Sequence, residues 1–215
     1  MTAYIFPGQG SQSKGMGKDL FSQFPDIVSQ ANEILGYSIT ELCLDDPHNQ
    51  LNSTQYTQPA LYTVNAMHYL KKKEEGKPSP KFVAGHSLGE YSALFAANVF
   101  DFATGLKLVK KRGELMSQAQ GGGMAAIIGL PAEKIQKVLN EHDLKEVVIA
   151  NYNTHSQFVI SGKKRDVSKA QTIFEESGAS LVVPLNVSGA FHSPFMSSAQ
   201  KEFEIFVKNF KFSSP

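Results

Sequence analysis

The sequence predicts an α/β fold: a core built on parallel strands, interrupted by one small β-α-β-β-α-β unit. Three observations predict it. The apolar run Phe82-Val83-Ala84-Gly85 leads through Gly85-His86-Ser87-Leu88-Gly89 into the apolar helix pattern of Tyr91 to Ala97. Strand, tight turn and helix in that order are the context in which Gly-x-Ser-x-Gly marks a nucleophile elbow. A second strand-like run, Tyr4-Ile5-Phe6, also ends in a glycine turn, and from residue 123 the rhythm changes to short strands alternating with two amphipathic helices.

Composition narrows the class further. At 215 residues the chain can bury a real core, and 41% hydrophobic with 19% charged residues describes an ordinary globular protein. A formal net charge of +1 argues against a nucleic-acid partner. The cluster Lys71-Lys72-Lys73 is answered at once by Glu74-Glu75, as at a solvated helix end. No apolar stretch reaches the roughly 18 residues of a membrane span. The N-terminus enters Tyr4-Ile5-Phe6 without a basic leader, so no membrane and a cytoplasmic location are expected. Cys43 is the only cysteine, which excludes an internal disulfide and thiolate metal sites. The six histidines form no His-x3-His or His-Glu-x2-His spacing, and no metal is expected.

The turn Pro7-Gly8-Gln9-Gly10-Ser11-Gln12 lacks the third glycine of a dinucleotide loop and the Gly-Lys-Ser/Thr of a phosphate loop, which disfavours nucleotide binding. Two readings remain: a tight turn with no ligand, or a loop that brings backbone N–H groups, notably that of Gln9, towards the elbow serine. Residues 17–50 read as helical and loop-rich. Thr57-Gln58-Pro59 is expected to open a helix with Pro59 in its first turn, and Ala60, Leu61, Val64, Met67 and Leu70 share its apolar face. Gly76-Lys77-Pro78-Ser79-Pro80 links that helix to the elbow strand.

At the elbow the glycines matter because the turn is too sharp for a Cβ on either side and the serine must adopt a strained backbone. Average Gly and Ser usage would yield the bare pattern in about one chain in ten of this length, so its context carries the signal. Asp101 caps a helix expected from Phe102 to Ser117. Arg112 lies three or four residues from Leu108, Val109, Leu115 and Met116, inside the apolar stripe, whereas Lys107, Lys111, Glu114 and Gln118 mark the wet side. An unpaired arginine there costs several kcal/mol in desolvation. It is either a fork for a ligand carboxylate, or a structural ion pair or snorkelling side chain.

After the hinge-like Gly121-Gly122-Gly123, strands are expected at 124–130, 147–151, 157–162 and 180–185, with helices at 132–141 and 164–177. This order is the ferredoxin-like motif, assigned to residues 123–187 as an insertion. Residues 1–122 and 188–215 are left to the core. The chain returns through Val187-Ser188-Gly189-Ala190-Phe191 to His192, and Ser193-Pro194 starts a helix. His192 is either a structural histidine or the base that an elbow serine needs.

Taken in order, Gly8-Gln9-Gly10-Ser11-Gln12, Gly85-His86-Ser87-Leu88-Gly89-Glu90, Arg112 and Gly189-Ala190-Phe191-His192-Ser193 closely resemble the malonyl-CoA:acyl carrier protein acyltransferases. That family includes fatty-acid-synthase transacylases and free-standing acyltransferases that serve polyketide synthases. The resemblance implies an α/β-hydrolase-like core with a parallel sheet and an inserted ferredoxin-like small domain. It implies Ser87 as nucleophile, His192 as its base, and an oxyanion hole of the Gln9 and Leu88 backbone N–H groups. Arg112 would grip the malonyl carboxylate, with Phe191 and His86 as further substrate-binding residues. Phe191 matches the malonyl-selecting version of its motif, where the ring crowds a 2-methyl branch. The substrates implied are a CoA thioester and the phosphopantetheine of an acyl carrier protein, and no bound cofactor is expected.

Family members normally continue past the helix after the histidine motif, with further core strand and helix and a main-chain carbonyl that orients the histidine. The sequence in hand ends at Pro215. No acidic third member can be assigned, and the core is expected to be incomplete at that end. Two alternatives stay open at this stage: an acyl hydrolase of the same fold, and a non-catalytic carrier-protein docking module. Arg112 tips the reading to transferase, because relatives acting on non-carboxylated acyl groups lack it.

Overall fold

A computed structural model describes residues 1–215 and divides them into two units: Met1–Leu115 with Phe203–Pro215, and Met116–Glu202. The architecture is mixed α/β, with one parallel and one antiparallel sheet.

In the first unit, β1 (Ala3–Phe6) pairs in parallel with β2 (Phe82–Gly85), Phe6 opposite Gly85. The two strands therefore end level, and the turns leaving them emerge at the same C-terminal edge. Between them run α1 (Pro25–Leu35), α2 (Ile39–Leu44) and the long α3 (Thr54–Glu74). Ser38 caps α2 by accepting from the Glu41 amide. The helix expected to open at Thr57 begins instead at Thr54, so Pro59 lies inside it rather than in its first turn. The proline removes one i→i−4 bond, and Gln55, the residue whose carbonyl loses that bond, is exposed, so water can replace it. Helix α3 is buried on nearly every side from Thr57 to Met67. Its Tyr62 stacks on Phe102 at 5.6 Å and donates to the Phe102 carbonyl.

Helix α4 (Gly89–Ala96) follows the elbow directly, and α5 (Phe102–Ser117) starts where the Asp101 carboxylate accepts from the Thr104 amide at 2.7 Å. Both match expectation.

In the second unit, β3 (Gly122–Ile128), α6 (Ala132–Glu141), β4 (Val148–Tyr152), β5 (Gln157–Lys163), α7 (Lys164–Glu176) and β6 (Leu181–Pro184) form an antiparallel sheet of order β4-β5-β3-β6. Strand β3 begins inside the glycine run read as a hinge. Gly122 and Gly123 pair with Lys163 and Gly162, and a Cβ on Gly122 would lie 1.9 Å from the Ala190 nitrogen. Alternation then sorts β3: Ala125 and Ile127 face Ile135, Leu139 and Phe174 of the helices, while Met124 and Ala126 face Val159 and Phe191.

A 3-10 turn, Pro194–Met196, capped by the Ser193 hydroxyl, leads into α8 (Ser197–Val207). Phe203, Phe206, Val207 and Phe210 pack on Val99, Phe100 and Leu108. No helix is long and apolar enough to cross a membrane.

Candidate functional site

Ser87 is the first residue of the chain to leave ordinary backbone geometry for a reason the sequence announces. Its φ is 52°, in the left-handed region. Six non-glycine residues have positive φ, and four are Asp or Asn, which tolerate it; the other two are Ser87 and His192. Strain of this kind is held only where the surroundings over-determine it. Here they do: a Cβ on Gly85 would meet the Gly89 carbonyl carbon at 1.9 Å, and one on Gly89 would meet the Phe6 oxygen at 2.1 Å. The elbow is thus pressed onto the end of β1, and the His86 amide extends the ladder by donating to the Phe6 carbonyl.

The turn after β1 is fixed by polar groups from α3 and α4. Asn65, buried, donates to the Pro7 carbonyl at 3.2 Å and to the Ser92 hydroxyl at 3.3 Å. The Gln9 side chain donates to the Thr54 hydroxyl at 3.2 Å, and Ser11 donates to the Gly8 carbonyl. Neither the Gln9 nor the Leu88 backbone amide donates to a backbone carbonyl. Both are therefore free of competing backbone acceptors, as an oxyanion hole requires.

Arg112 reaches this corner from α5. Its guanidinium donates to the Gln58 side-chain oxygen at 2.8 Å and to the Ser87 hydroxyl at 3.2 Å, and it lies over the Tyr91 ring at 5.7 Å from the centroid. None of the ion pairs Lys137–Glu141, Lys145–Asp143, Lys163–Glu146 and Lys208–Glu204 involves it. Burial lowers its pKa from the ordinary value, and the Tyr91 phenol and exposed Glu90 pull it back. Burial likewise raises the Tyr91 phenol, with the Arg112 charge working against it. A guanidinium stays charged even so, and a cation held by neutral partners beside a strained hydroxyl is a receptor for an anion.

The structure thus brings Ser87, Leu88, Gln9, His86 and Arg112 into one unit. Sequence reasoning missed two residues there, Gln58 and Tyr91. Gln58 is fully buried, with Leu61 and Tyr62 three and four residues further on. The test applied to Arg112, a polar residue inside an apolar stripe, would have found it.

Phe191 and His192 belong to the other unit. Phe191 is buried among Met116, Met124, Ala126 and Val159, whereas His192 is exposed at a left-handed backbone position, just before the Ser193 cap. Cys43 is no rival nucleophile: burial pushes its thiol up to about 12. A cavity of about 540 Å³ runs along β1 between Tyr4, Phe6, Leu61, Asn65 and Tyr69, and neither Ser87 nor Arg112 lines it.

Comparison with known proteins adds an independent finding. A family model described as "Acyl transferase domain" matches residues 3–215. The chain is 58% identical over 216 residues to the polyketide biosynthesis malonyl CoA-acyl carrier protein transacylase PksC of Bacillus subtilis (strain 168), covering 100% of this chain and 75% of that protein. A crystal structure of malonyl CoA-acyl carrier protein transacylase from Burkholderia pseudomallei has a TM-score of 0.97 at 51% identity, over 100% of this chain and 74% of that one. A malonyl-transacylase solved in complex with its type II PKS acyl-carrier protein has a TM-score of 0.93 at 38% identity, over 100% and 72%.

Proposed function

Because the chain belongs to the acyl transferase domain family, we propose that it transfers a malonyl group from malonyl-CoA to the phosphopantetheine thiol of an acyl carrier protein, in fatty-acid or polyketide synthesis. The observation that carries this reading is the Arg112 guanidinium, held by neutral groups 3.2 Å from the Ser87 hydroxyl. In a malonyl thioester a single CH₂ separates the carboxylate from the carbonyl that a nucleophile attacks. A cation next to the nucleophile therefore fits that acyl group and is left unpaired by acetyl. The printed names of the relatives, malonyl transacylases including one of polyketide biosynthesis, point the same way.

Each residue then has a role. Ser87 Oγ attacks the thioester carbonyl, giving its proton to His192, and the oxyanion is held by the Gln9 and Leu88 amides. The C–S bond breaks, and CoA leaves as the thiol with the proton from His192. The carrier's pantetheine thiol, deprotonated in turn by His192, attacks the serine ester, and Ser87 recovers the proton. Each oxyanion-hole donor is worth about 10²- to 10³-fold in rate. Arg112 takes the carboxylate through a bidentate pair. His86 and Phe191 complete substrate binding, and the Phe191 ring disfavours a 2-methyl branch by about 1 to 3 kcal/mol. The chemistry needs no metal or redox cofactor.

The finer fold description belongs to the same reading. The parallel pair with its elbow supports an α/β-hydrolase-like core, 1–122 and 188–215. The order β6-β3-β5-β4 with two helices supports a ferredoxin-like insertion at 123–187.

Labelled malonyl-CoA tests the proposal. Label should stay on the protein, vanish in Ser87→Ala, and pass to a holo carrier protein. Release as free malonate with no transfer would make the protein a hydrolase. No label at all would leave only a docking role.

A further inference from the structure

The guanidinium that the proposed function assigns to the malonyl carboxylate has three neighbours, and they are not equal. Gln58 and Ser87 each take one hydrogen bond out of the five N–H donors of an arginine. The Ser87 contact cannot last the reaction, because acylation turns the hydroxyl into an ester oxygen, a poorer acceptor. The third neighbour is the Tyr91 ring, 5.7 Å from Arg112 Cζ. An aromatic face at this distance attracts the cation, and the phenol is close enough to hydrogen-bond the guanidinium as well.

Tyr91 is itself well fixed. Its amide donates to the Leu88 carbonyl at 3.0 Å, so the turn that carries an oxyanion-hole amide also places the ring. The ring forms a T-shaped pair with Phe203, 6.3 Å between centroids at 76°, and Leu94 and Phe95 belong to the same cluster. The phenol and the guanidinium also perturb each other's protonation, as two groups in close contact do.

We propose that Tyr91 is the positioning residue of the carboxylate receptor: its ring seats Arg112 through both half-reactions and so sets the preference for a malonyl over a plain acyl group. This rests on the reading of Arg112 given above.

The test compares kcat/KM for malonyl-CoA and acetyl-CoA in Tyr91→Leu, Arg112→Ala and the double variant. Tyr91→Leu is expected to lower the malonyl value about 10- to 30-fold, mainly through KM, and to leave the acetyl value within about twofold. In the Arg112→Ala background the same change should cost nothing further, since Tyr91 acts only through Arg112. Equal losses with both substrates, or additive losses in the double variant, overturn the proposal and make Tyr91 a packing residue. If Arg112→Ala itself fails to separate the two substrates, the reading of Arg112 falls and this proposal with it. Should Tyr91→Leu not fold, phenylalanine against pentafluorophenylalanine at position 91 keeps the shape and inverts the charge distribution of the ring. The fluorinated ring should lose malonyl preference, and identical preference in the two overturns the proposal.

Discussion

In the Met116–Glu202 unit the fully buried side chains are apolar but for one hydroxyl, Ser161, whereas the unit built on β1 and β2 buries Thr54, Thr57, Gln58, Thr63, Asn65 and Ser92. Five of those six sit on α3. Several are committed: Thr54 to Gln9, Asn65 to Pro7 and Ser92, Gln58 to Arg112. Burying polar groups gains little net stability even when they are bonded. Their concentration around the elbow therefore marks a region shaped to hold backbone and cation in place, while the buried core of the antiparallel unit is shaped by packing. Mutations can break this contrast or sharpen it.

The largest effects should fall on opposite sides of it. Phe174, fully buried between α6 and the sheet, is a packing residue: Phe174→Ala should cost about 3–5 kcal/mol of stability, read as a lowered denaturation midpoint. Arg112→Ala should change the melting temperature little, since the desolvation relieved by removing a half-buried cation offsets the hydrogen bonds lost to Gln58 and Ser87. The same variant should lower kcat/KM for malonyl-CoA about 10²- to 10³-fold and for acetyl-CoA far less. If Phe174→Ala alters substrate preference, or Arg112→Ala unfolds the protein, the division between the units does not hold.

Gln58→Leu sharpens the comparison with a smaller effect. It keeps the volume of a fully buried side chain and removes the oxygen that accepts from Arg112. The expected outcome is a loss of about 1–3 kcal/mol of stability, since a guanidinium N–H loses its acceptor, with about a tenfold loss of malonyl transfer, because one fixed point of the guanidinium is gone. Full activity would show that Tyr91 and the substrate suffice to place it.

The same contrast explains what the sequence made legible. In the antiparallel unit, helix α6 falls where its stripe of Ile135, Val138 and Leu139 puts it, and the strands lie within about two residues of their patterns. There, each residue's polarity reports its side of the interface. Helix α3 breaks that code: wrapped from Thr57 to Met67, it carries no wet face, and Gln58 reads as a polar breaker although it points inward. Ser87 and Arg112 were legible for the opposite reason, since a serine between two glycines after a strand and an arginine inside an apolar stripe each violate a local rule. Tyr91 violates none, because an aromatic on a packed helix is what packing alone would choose; only the position of the guanidinium over it reveals a second role.

The smallest effects ask whether every buried polar group near the elbow serves the site. Thr63 and Ser161 both bury a hydroxyl with no hydrogen-bond partner, one in each unit. Such a group costs roughly 1–3 kcal/mol of desolvation, so Thr63→Val and Ser161→Ala should each stabilise by up to about 1 kcal/mol once the lost contacts are subtracted. In a chain of this size that corresponds to a rise in Tm of about 2–4 °C, measurable by calorimetry. Activity should stay within about twofold for both. Thr63 is five residues from Gln58 on α3, about 140° round the helix, so it faces away from Arg112. A loss of transfer in Thr63→Val but not in Ser161→Ala would mean that α3 acts as one rigid polar device, whereas silence in both restricts function to the side chains that touch Arg112 and the glycine turn.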